Sequence, residues 1–174
     1  MNKKGFTTIE LLLTMLVVVT IMVSITSVTY TYRDRSKYEE TVTEVTNYKN
    51  MVTKIIYDDI LDTTNKAIKI EKNTDKIYTI VKTDTTKNVT LEIIDRDVTK
   101  DSKQIHEVGI KYDNIEYIIP GSENSYITFE GTTLYPNDFP EREDTGLYSL
   151  DIVFSHRNLE DNFKIHFAID TYIQ

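Results

Sequence analysis

The 174-residue chain has no cysteine and no tryptophan, and it contains only 3 prolines, 5 glycines and 3 histidines. Without cysteine it can form no disulfide bond, and it lacks the thiolates that act as nucleophiles or bind zinc and iron–sulfur clusters. The sequence also has no glycine-rich phosphate-binding loop, no redox motif and no basic stripe. Because nothing typical of an enzyme is left, we expect no catalytic activity and no cofactor.

Acidic residues outnumber basic ones, with 28 Asp and Glu against 20 Lys and Arg and a formal net charge of -8. Nucleic-acid binding requires a concentrated basic surface, so we expect no direct contact with nucleic acid. The length suggests one domain, or one domain with an appendage. The apolar residues are unevenly spread, and they are concentrated near the N-terminus.

Residues 6–28 form an apolar segment with one charged side chain, Glu10. As a helix this segment would be about 34 Å long, which is enough to cross a hydrocarbon core of about 30 Å. Its threonines and serines are tolerated because their hydroxyl groups can bond to carbonyls of the preceding helical turn. Lys3 and Lys4 precede the segment, which predicts a cytoplasmic N-terminus and places the rest of the chain outside.

Two simpler explanations exist for this segment, namely a plain membrane anchor and a secretory signal peptide. The signal peptide is disfavoured because no small-x-small cleavage site follows and the apolar stretch is long. Glu10 is unusual in a plain anchor, since a carboxylate this deep costs about 2.5–3.5 kcal/mol on insertion scales. It needs a cation, and the segment contains none. If the chain were cut after Gly5, the new α-amino group of Phe6 on an axially displaced neighbour would be that cation.

The residues around this position resemble the processing site of type IV prepilins and the related pseudopilins. The sequence reads Lys3-Lys4-Gly5-Phe6-Thr7-Thr8-Ile9-Glu10 and continues directly into the apolar run. The resemblance implies a basic leader of residues 1–5, cut after Gly5 by a membrane prepilin peptidase and N-methyltransferase that methylates the new N-terminal Phe6. It also implies that Glu10 guides assembly with other pilin subunits, major and minor, on an assembly platform in the membrane.

The resemblance covers about the first third of the chain, and two features depart from the family pattern. Thr8 replaces the usual apolar residue before Ile9, and the run carries no glycine or proline. Many pilins use glycine or proline to loosen this helix in the filament. In this chain serine and threonine are candidates for part of that role, since they can weaken or bend a helix.

The helical pattern continues beyond the membrane segment. Three- and four-residue spacing predicts an apolar face made of Tyr38, Val42, Val45, Tyr48, Val52, Ile55 and Ile56. We expect one helix from about Phe6 to about Leu61, with residues 6–33 in the membrane or filament core. Residues 34–62 would pack on a globular head of residues 63–174. An independent coiled coil is the alternative, but heptads are not sustained long enough to favour it.

From Ala67 onward the apolar pattern changes to a period of two, which is typical of β-strands. Alternating runs predict strands at 77–82, 89–93, 108–112, 115–119, 148–154 and 163–169. Asp113-Asn114 is a candidate two-residue hairpin turn because both residue types tolerate positive φ. We expect six to eight antiparallel strands packed on the helix, an α+β fold that resembles the head of type IV pilins.

Two further groups of residues are weaker candidates for chemistry. His106, His156 and His166 do not form a convergent set typical of a metal site or a catalytic triad. His166 falls on the polar side of its strand, and the adjacent Ser155 and His156 should point to opposite faces. The acidic loop 136–146 offers carboxylates for Ca²⁺ but lacks the EF-hand spacing and its glycine, so we expect a solvated loop instead of a calcium site.

The sequence therefore predicts a type IV pilin-like structural subunit, made as a single-pass membrane precursor and later exposed in a cell-surface pilus. The stretch 48–60, followed by a strand-rich head, is loosely similar to minor pilins and minor pseudopilins, and we favour a minor pilin. One alternative is a pseudopilin of a type II secretion or competence DNA-uptake system. The other is a membrane-anchored extracellular binding domain that never polymerises. Adhesion, motility, DNA uptake and secretion are the roles open to such a filament.

Overall fold

The computed structural model describes residues 7–62, 64–124, 126–135 and 146–170. Its first element is a single helix, α1, at Thr8–Ile60. No proline or glycine lies between Phe6 and Lys66, so no residue in this stretch breaks the helical hydrogen bonds. The prediction of one uninterrupted helix ending near Leu61 is confirmed over the described residues.

The chain divides into two compact units, Met1–Glu40 and Thr41–Gln174, and the division falls within α1. In the second unit α1 buries one stripe of side chains at helical spacing, which consists of Thr41, Val45, Tyr48, Val52, Ile56 and Ile60. The predicted apolar face is wrong at Tyr38 and Val42, which are 43% and 37% exposed. Val42 lies about 100° around the helix from Thr41 and so falls off the stripe, and Tyr38 precedes the unit that contains the core.

Eight antiparallel strands follow in the described part of the second unit, and they form two sheets. The first sheet has the order β1-β2-β3-β4-β5, with β1 at Ala67–Thr74, β2 at Ile77–Lys82, β3 at Val89–Lys100, β4 at Lys103–Tyr112 and β5 at Ile115–Ile118. The second has the order β6-β7-β8, with β6 at Ile127–Tyr135, β7 at Leu147–His156 and β8 at Phe163–Asp170. Short 3-10 helices cover Thr85–Lys87 and Ser122–Asn124.

Two tight turns set the register of the hairpins at β3, β4 and β5. Asp113-Asn114 joins β4 to β5 with φ angles of 47° and 63°, which confirms the predicted hairpin turn. Asp101-Ser102 joins β3 to β4 with φ angles of 49° and 63°. Positive φ at both central positions is the geometry whose twist matches the twist of the flanking strands.

All six strands that the alternating pattern predicts are present, whereas β1 and β6 have no predicted counterpart. Both contain irregular pairings that break the period of two. Strand β1 shifts register twice along its pairing with β2, and β6 shifts between Phe129 and Gly131. The two sheets separate between β5 and β6, where Pro120 and Gly121, which has a φ of 81°, interrupt the strand pattern.

One hydrophobic core contains buried side chains from the second half of α1 and from both sheets. Hydrogen bonds of Tyr48 and Tyr57 help to fix the helix on the strands. The Tyr48 hydroxyl donates to the carbonyl oxygen of Tyr117 in β5 at 2.8 Å, and the backbone N–H of Ala168 in β8 donates to the Tyr57 hydroxyl at 3.2 Å. The predicted α+β architecture, with a long helix packed on antiparallel strands through its second half, is confirmed.

Candidate functional site

The N-terminus of α1 is capped by Thr7 and Glu10. The backbone N–H of Glu10 donates to Oγ1 of Thr7 at 3.3 Å. In return, Oε2 of Glu10 accepts hydrogen bonds from the backbone N–H and from the hydroxyl of Thr7, each at 2.9 Å. This reciprocal arrangement is a capping box, which satisfies N–H groups that have no partner inside the helix. Glu10 therefore has neutral partners in its own chain, in addition to any cation supplied from outside.

Both side-chain contacts of Glu10 use the same oxygen atom, Oε2. The other oxygen, Oε1, accepts no hydrogen bond from the part of the chain that the structure describes. A carboxylate has lone pairs on both oxygens and can bind a partner at each of them. The capping role thus leaves Oε1 available to a second donor.

Many of the hydroxyl groups in the first half of α1 donate hydrogen bonds to the helix itself. Six side chains donate to the carbonyl oxygen four residues earlier, at 2.8–3.0 Å, namely Thr14, Thr20, Ser24, Thr26, Thr29 and Thr31. The predicted bonding of these hydroxyls to the preceding turn is confirmed. Since their donors are occupied, these residues add little polarity to the helix surface.

The large apolar side chains at the start of α1 are all exposed, with exposed fractions between 47% and 72%. They are Ile9, Leu11, Leu12, Leu13, Met15, Leu16, Val17, Val18, Val19, Ile21, Met22, Val23, Ile25 and Val28. A continuous apolar surface of this length is rare on a soluble monomer and marks a contact with lipid or with other proteins. By length and composition α1 is a candidate membrane-spanning helix near the N-terminus, which is compatible with a single-pass membrane protein.

The remaining predicted residues at this end, Lys3, Lys4, Gly5 and Phe6, lie outside the described residues. No protein-family model, curated protein or solved structure matches this chain. The predicted acidic loop also lies outside the described residues at positions 136–145, so its behaviour towards Ca²⁺ stays a prediction.

Two histidines of the head lie against carboxylates. His106 is 3.0 Å from Asp95 and 2.8 Å from Asp97, one contact through each ring nitrogen. His166 is 2.6 Å from Asp151 and its side chain is half exposed, as predicted for the polar side of β8. Within the described ranges, no three acidic or histidine side chains have the arrangement of a metal site.

The side chains of Ser155 and His156 diverge, as predicted for neighbours on a strand. The Ser155 hydroxyl donates to Oε1 of Glu130 at 2.6 Å, whereas His156 is buried and its Nδ1 accepts from the backbone N–H of Asn158 at 3.0 Å. Burial lowers the pKa of His156, although the negative charge of Glu44 opposes this effect. The two residues do not form a nucleophile–base pair, because their polar atoms engage different partners.

A buried ionic cluster near the end of α1 has no counterpart among the predictions. The Lys82 side chain, 5% exposed, donates to one carboxylate oxygen of Asp59, and the Tyr112 hydroxyl donates to the other. Burial, together with the hydrogen bond to Asp59, raises the pKa of Tyr112. The alternation along β2 indicates that Lys82 is buried, because it lies on the same side of the strand as Tyr78 and Ile80. A buried lysine requires an anionic partner, and this was the available signal for the cluster.

A second ionic cluster lies on β3, β4 and β5. Glu107 is buried and accepts hydrogen bonds from Lys100 at 2.9 Å and from Arg96 at 3.0 Å, and Arg96 also contacts Glu116 at 2.8 Å. The hydrogen bonds from Lys100 and then Arg96 hold the pKa of Glu107 below its usual range. These contacts tie three neighbouring strands together.

Proposed function

We propose that this chain is a type IV pilin-like structural subunit, and we favour a minor pilin. A prepilin peptidase cuts the membrane precursor after Gly5, the new N-terminal Phe6 is methylated, and the protein enters an extracellular filament through α1. One observation supports this proposal, namely that several features occur together at the N-terminus. The basic residues and the Gly5-Phe6 junction directly precede a helix that carries Glu10 in its first turn and then a run of exposed apolar side chains.

Glu10 is the residue that guides assembly in this proposal. Inside a filament core of apolar helices, the α-amino group of Phe6 from a neighbour would attract the carboxylate strongly because the dielectric constant is low. The amine binds at Oε1, while Oε2 retains its bonds to Thr7. A precursor in lipid has no such amine for Glu10, so docking removes the penalty of an unpaired charge.

Replacing Glu10 by glutamine separates its charge from its capping role, because glutamine can also complete a capping box. We expect Glu10→Gln to accumulate as a membrane precursor and to be missing from sheared filaments, as for Glu10→Ala. Immunoblots of the membrane and filament fractions measure this distribution. Thr7→Val is the matched control, since it removes the hydroxyl but keeps the carboxylate, and it should assemble. Normal incorporation of Glu10→Gln would refute the charge mechanism.

Processing after Gly5 is tested independently of assembly. Gly5→Leu should leave an uncut precursor, which migrates more slowly than the wild-type protein on an immunoblot. Intact mass of the wild-type protein should show the loss of residues 1–5 and the gain of one methyl group. Retention of Met1 in the wild-type protein would exclude the proposed maturation.

The same measurements separate the alternatives. A membrane-anchored binding domain would keep residues 1–5 and would show no defect when Glu10 is replaced. A pseudopilin would be processed at Gly5 but would not be found on long surface filaments. Immunogold labelling along the shaft would indicate a major subunit, whereas labelling at the tip or at rare positions would support a minor one.

A further inference from the structure

The turn between β7 and β8, residues 157–162, depends on His156 for two of its hydrogen bonds. The backbone N–H of Asn158 donates to Nδ1 of the His156 ring at 3.0 Å. The backbone N–H of Leu159 donates to the carbonyl oxygen of His156 at 2.9 Å. One residue at the end of β7 thus supplies both of the acceptors that form the first part of this turn.

The bond to Asn158 fixes the protonation state of the imidazole. A backbone N–H can only donate, so Nδ1 must present a lone pair, and the ring carries its single hydrogen on Nε2. A protonated imidazole has a hydrogen on both nitrogens. Its Nδ1–H would point at the N–H of Asn158, and the two donors would repel each other. The hydrogen bond therefore exists only while His156 is neutral.

The surroundings of His156 act on its charge in two opposite ways. The residue is 7% exposed, pairs with Ile127 across β6, and lies with its ring 6.3 Å from the ring of Tyr126. Burial lowers the pKa of His156, because an environment with little water disfavours the imidazolium. The negative charge of Glu44, which is exposed on α1, opposes this effect. The ring therefore has a neutral state bonded to the backbone and a nearby anion that favours its charged state.

Charged residues around His156 come from α1, from the segment before β6 and from the turn itself. Besides Glu44 they are Glu123 in the 3-10 helix and Arg157, Glu160 and Asp161 in the turn, all of them exposed. The guanidinium of Arg157 lies over the Tyr126 ring, 5.9 Å from its centre, where the aromatic face attracts it. Among these charged groups, Glu44 is the one that shifts the pKa of His156. It is therefore the anion that a protonated ring would meet.

We infer that the turn between β7 and β8 is an acid-sensitive switch, in which neutral His156 holds Asn158, and protonated His156 releases it and pairs with Glu44. The imidazole has two alternative partners, a backbone donor and a carboxylate, and its proton determines which of them it binds. Histidine is the residue type whose charge ordinarily changes near neutral pH. The inference goes beyond the proposed function, because it concerns the head alone and applies whether or not the chain enters a filament.

The pH range of the switch follows from the direction of the pKa shift. Because the closed turn lowers the pKa of His156, the opened turn takes up a proton more readily than the closed one. The closed turn is fully stable above the ordinary histidine pKa of about 6.5. Its stability falls as the pH drops below that value, towards the lower pKa of the closed state.

Opening the turn requires little disruption of the core. Asn158 is exposed, so water can replace the acceptor that its N–H loses. The strands on either side keep their pairing, which begins at Phe154 and Phe163 and runs away from the turn. Local openings of this kind cost less free energy than global unfolding. The change that acid produces should therefore be confined to the turn.

Hydrogen–deuterium exchange of the full chain in detergent, measured by mass spectrometry, tests this switch. We expect the protection of a peptide that covers 157–162, corrected for the intrinsic exchange rate, to fall several-fold between about pH 7.5 and about pH 5. The hairpin that contains Asp113-Asn114 is the internal reference, and its protection should stay constant. A uniform loss of protection across the head would contradict a local switch, and so would a turn that does not respond.

Replacing His156 by glutamine removes the titration. Glutamine can accept the hydrogen bond from Asn158 through its side-chain oxygen, and it has no proton to gain in this range. We expect His156→Gln to keep the turn protected at both pH values. His106→Gln and His166→Gln are the matched controls, because they remove the other two histidines, and both should keep the wild-type response. A His156→Gln protein whose turn still opens in acid would refute the assignment.

Glu44 offers an independent variant that leaves the buried ring in place. Glu44→Gln removes the anion that favours the imidazolium, so the turn should open at a lower pH than in the wild-type chain. Glu40→Gln removes the same charge about one helical turn earlier and should leave the transition unchanged. An opening at the same or a higher pH in Glu44→Gln would show that the protonated ring does not pair with Glu44, and it would overturn the inference.

Discussion

Both halves of α1 are helical, but they differ in whether other parts of the chain pack on them. From Thr8 to Glu40 every side chain is exposed, although this part contains the most apolar sequence in the protein. From Thr41 to Ile60 the sequence is more polar, yet six of its side chains are buried. Apolar character alone therefore does not tell where the core of the chain lies.

Periodicity explains the difference between the halves. The second half concentrates its apolar residues on one stripe, which a pair of sheets can cover. The first half is apolar on nearly all sides, so one globular head cannot cover it, and lipid or several neighbouring helices are required. The first half thus depends on its surroundings, whereas the second half depends on its own chain.

The largest expected effect comes from removing apolar volume in the second half of α1, and the same change in the first half is the comparison. Ile56 is 0% exposed, and Ile56→Ala should lower the free energy of unfolding of the head by about 2–5 kcal/mol. Ile21 is 52% exposed, and Ile21→Ala should leave the stability of the head unchanged. The measurement is denaturant unfolding of the full chain in detergent, followed by near-ultraviolet circular dichroism of its tyrosines. Equal losses of unfolding free energy in the two variants would contradict the expected difference between the two halves of α1.

A smaller effect is expected from the ion pairs of the two halves. Asp59→Ala leaves the buried ammonium of Lys82 without its partner and should cost about 2–3 kcal/mol, somewhat below the range for a fully buried pair because Asp59 is partly exposed. Arg35→Ala removes the pair with Glu39, whose side chains are 79% and 66% exposed, and should give no measurable change. The same unfolding experiment compares both variants. A loss of stability in Arg35→Ala alone would contradict the expected difference between the buried and the exposed ion pair.

The smallest effect is the pH dependence that Glu107 gives to the head. Because hydrogen bonds from Lys100 and Arg96 lower its pKa in the folded state, Glu107 stabilises the head above its unfolded pKa of about 4.3. That contribution is lost as the pH falls further, through the folded pKa. Glu107→Gln should therefore flatten the fall in unfolding free energy between about pH 5 and pH 3. An unchanged slope in this variant would mean that other carboxylates account for the acid sensitivity.

Much of the fold could be predicted from periodicity and turn chemistry. The long helix, the six regular strands and the turn at Asp113-Asn114 all follow from local patterns, and the structure confirms them. Strands β1 and β6 could not be predicted, because their register shifts break the alternation. The prediction fails at Tyr38 because helical spacing does not show where along α1 the buried stripe begins, and it fails at Val42 because this residue lies off that stripe.

At the candidate site, Glu10 could be identified from the sequence as the one charged residue of the apolar segment, whereas its capping contact with Thr7 is not among the predictions. The spacing Thr7-Thr8-Ile9-Glu10 matches the pattern of a capping box, which was the available signal. The buried pair of Asp59 and Lys82 could not be found from spacing alone, since it joins residues far apart in the sequence. Long-range ionic contacts depend on how elements pack, and a single sequence does not report that.

The strand order of the head also determines how it can fold. In both sheets every strand pairs with its neighbours in the sequence, so each pairing closes a short loop. Such local contacts form faster than pairings between distant segments. With the orientation proposed above, the second half of α1 would leave the membrane first, and β1 to β5 could pair while β6 to β8 were still being exported. The strand pairings of the first sheet could then form during translocation, and the shared core would be completed when the second sheet joins it.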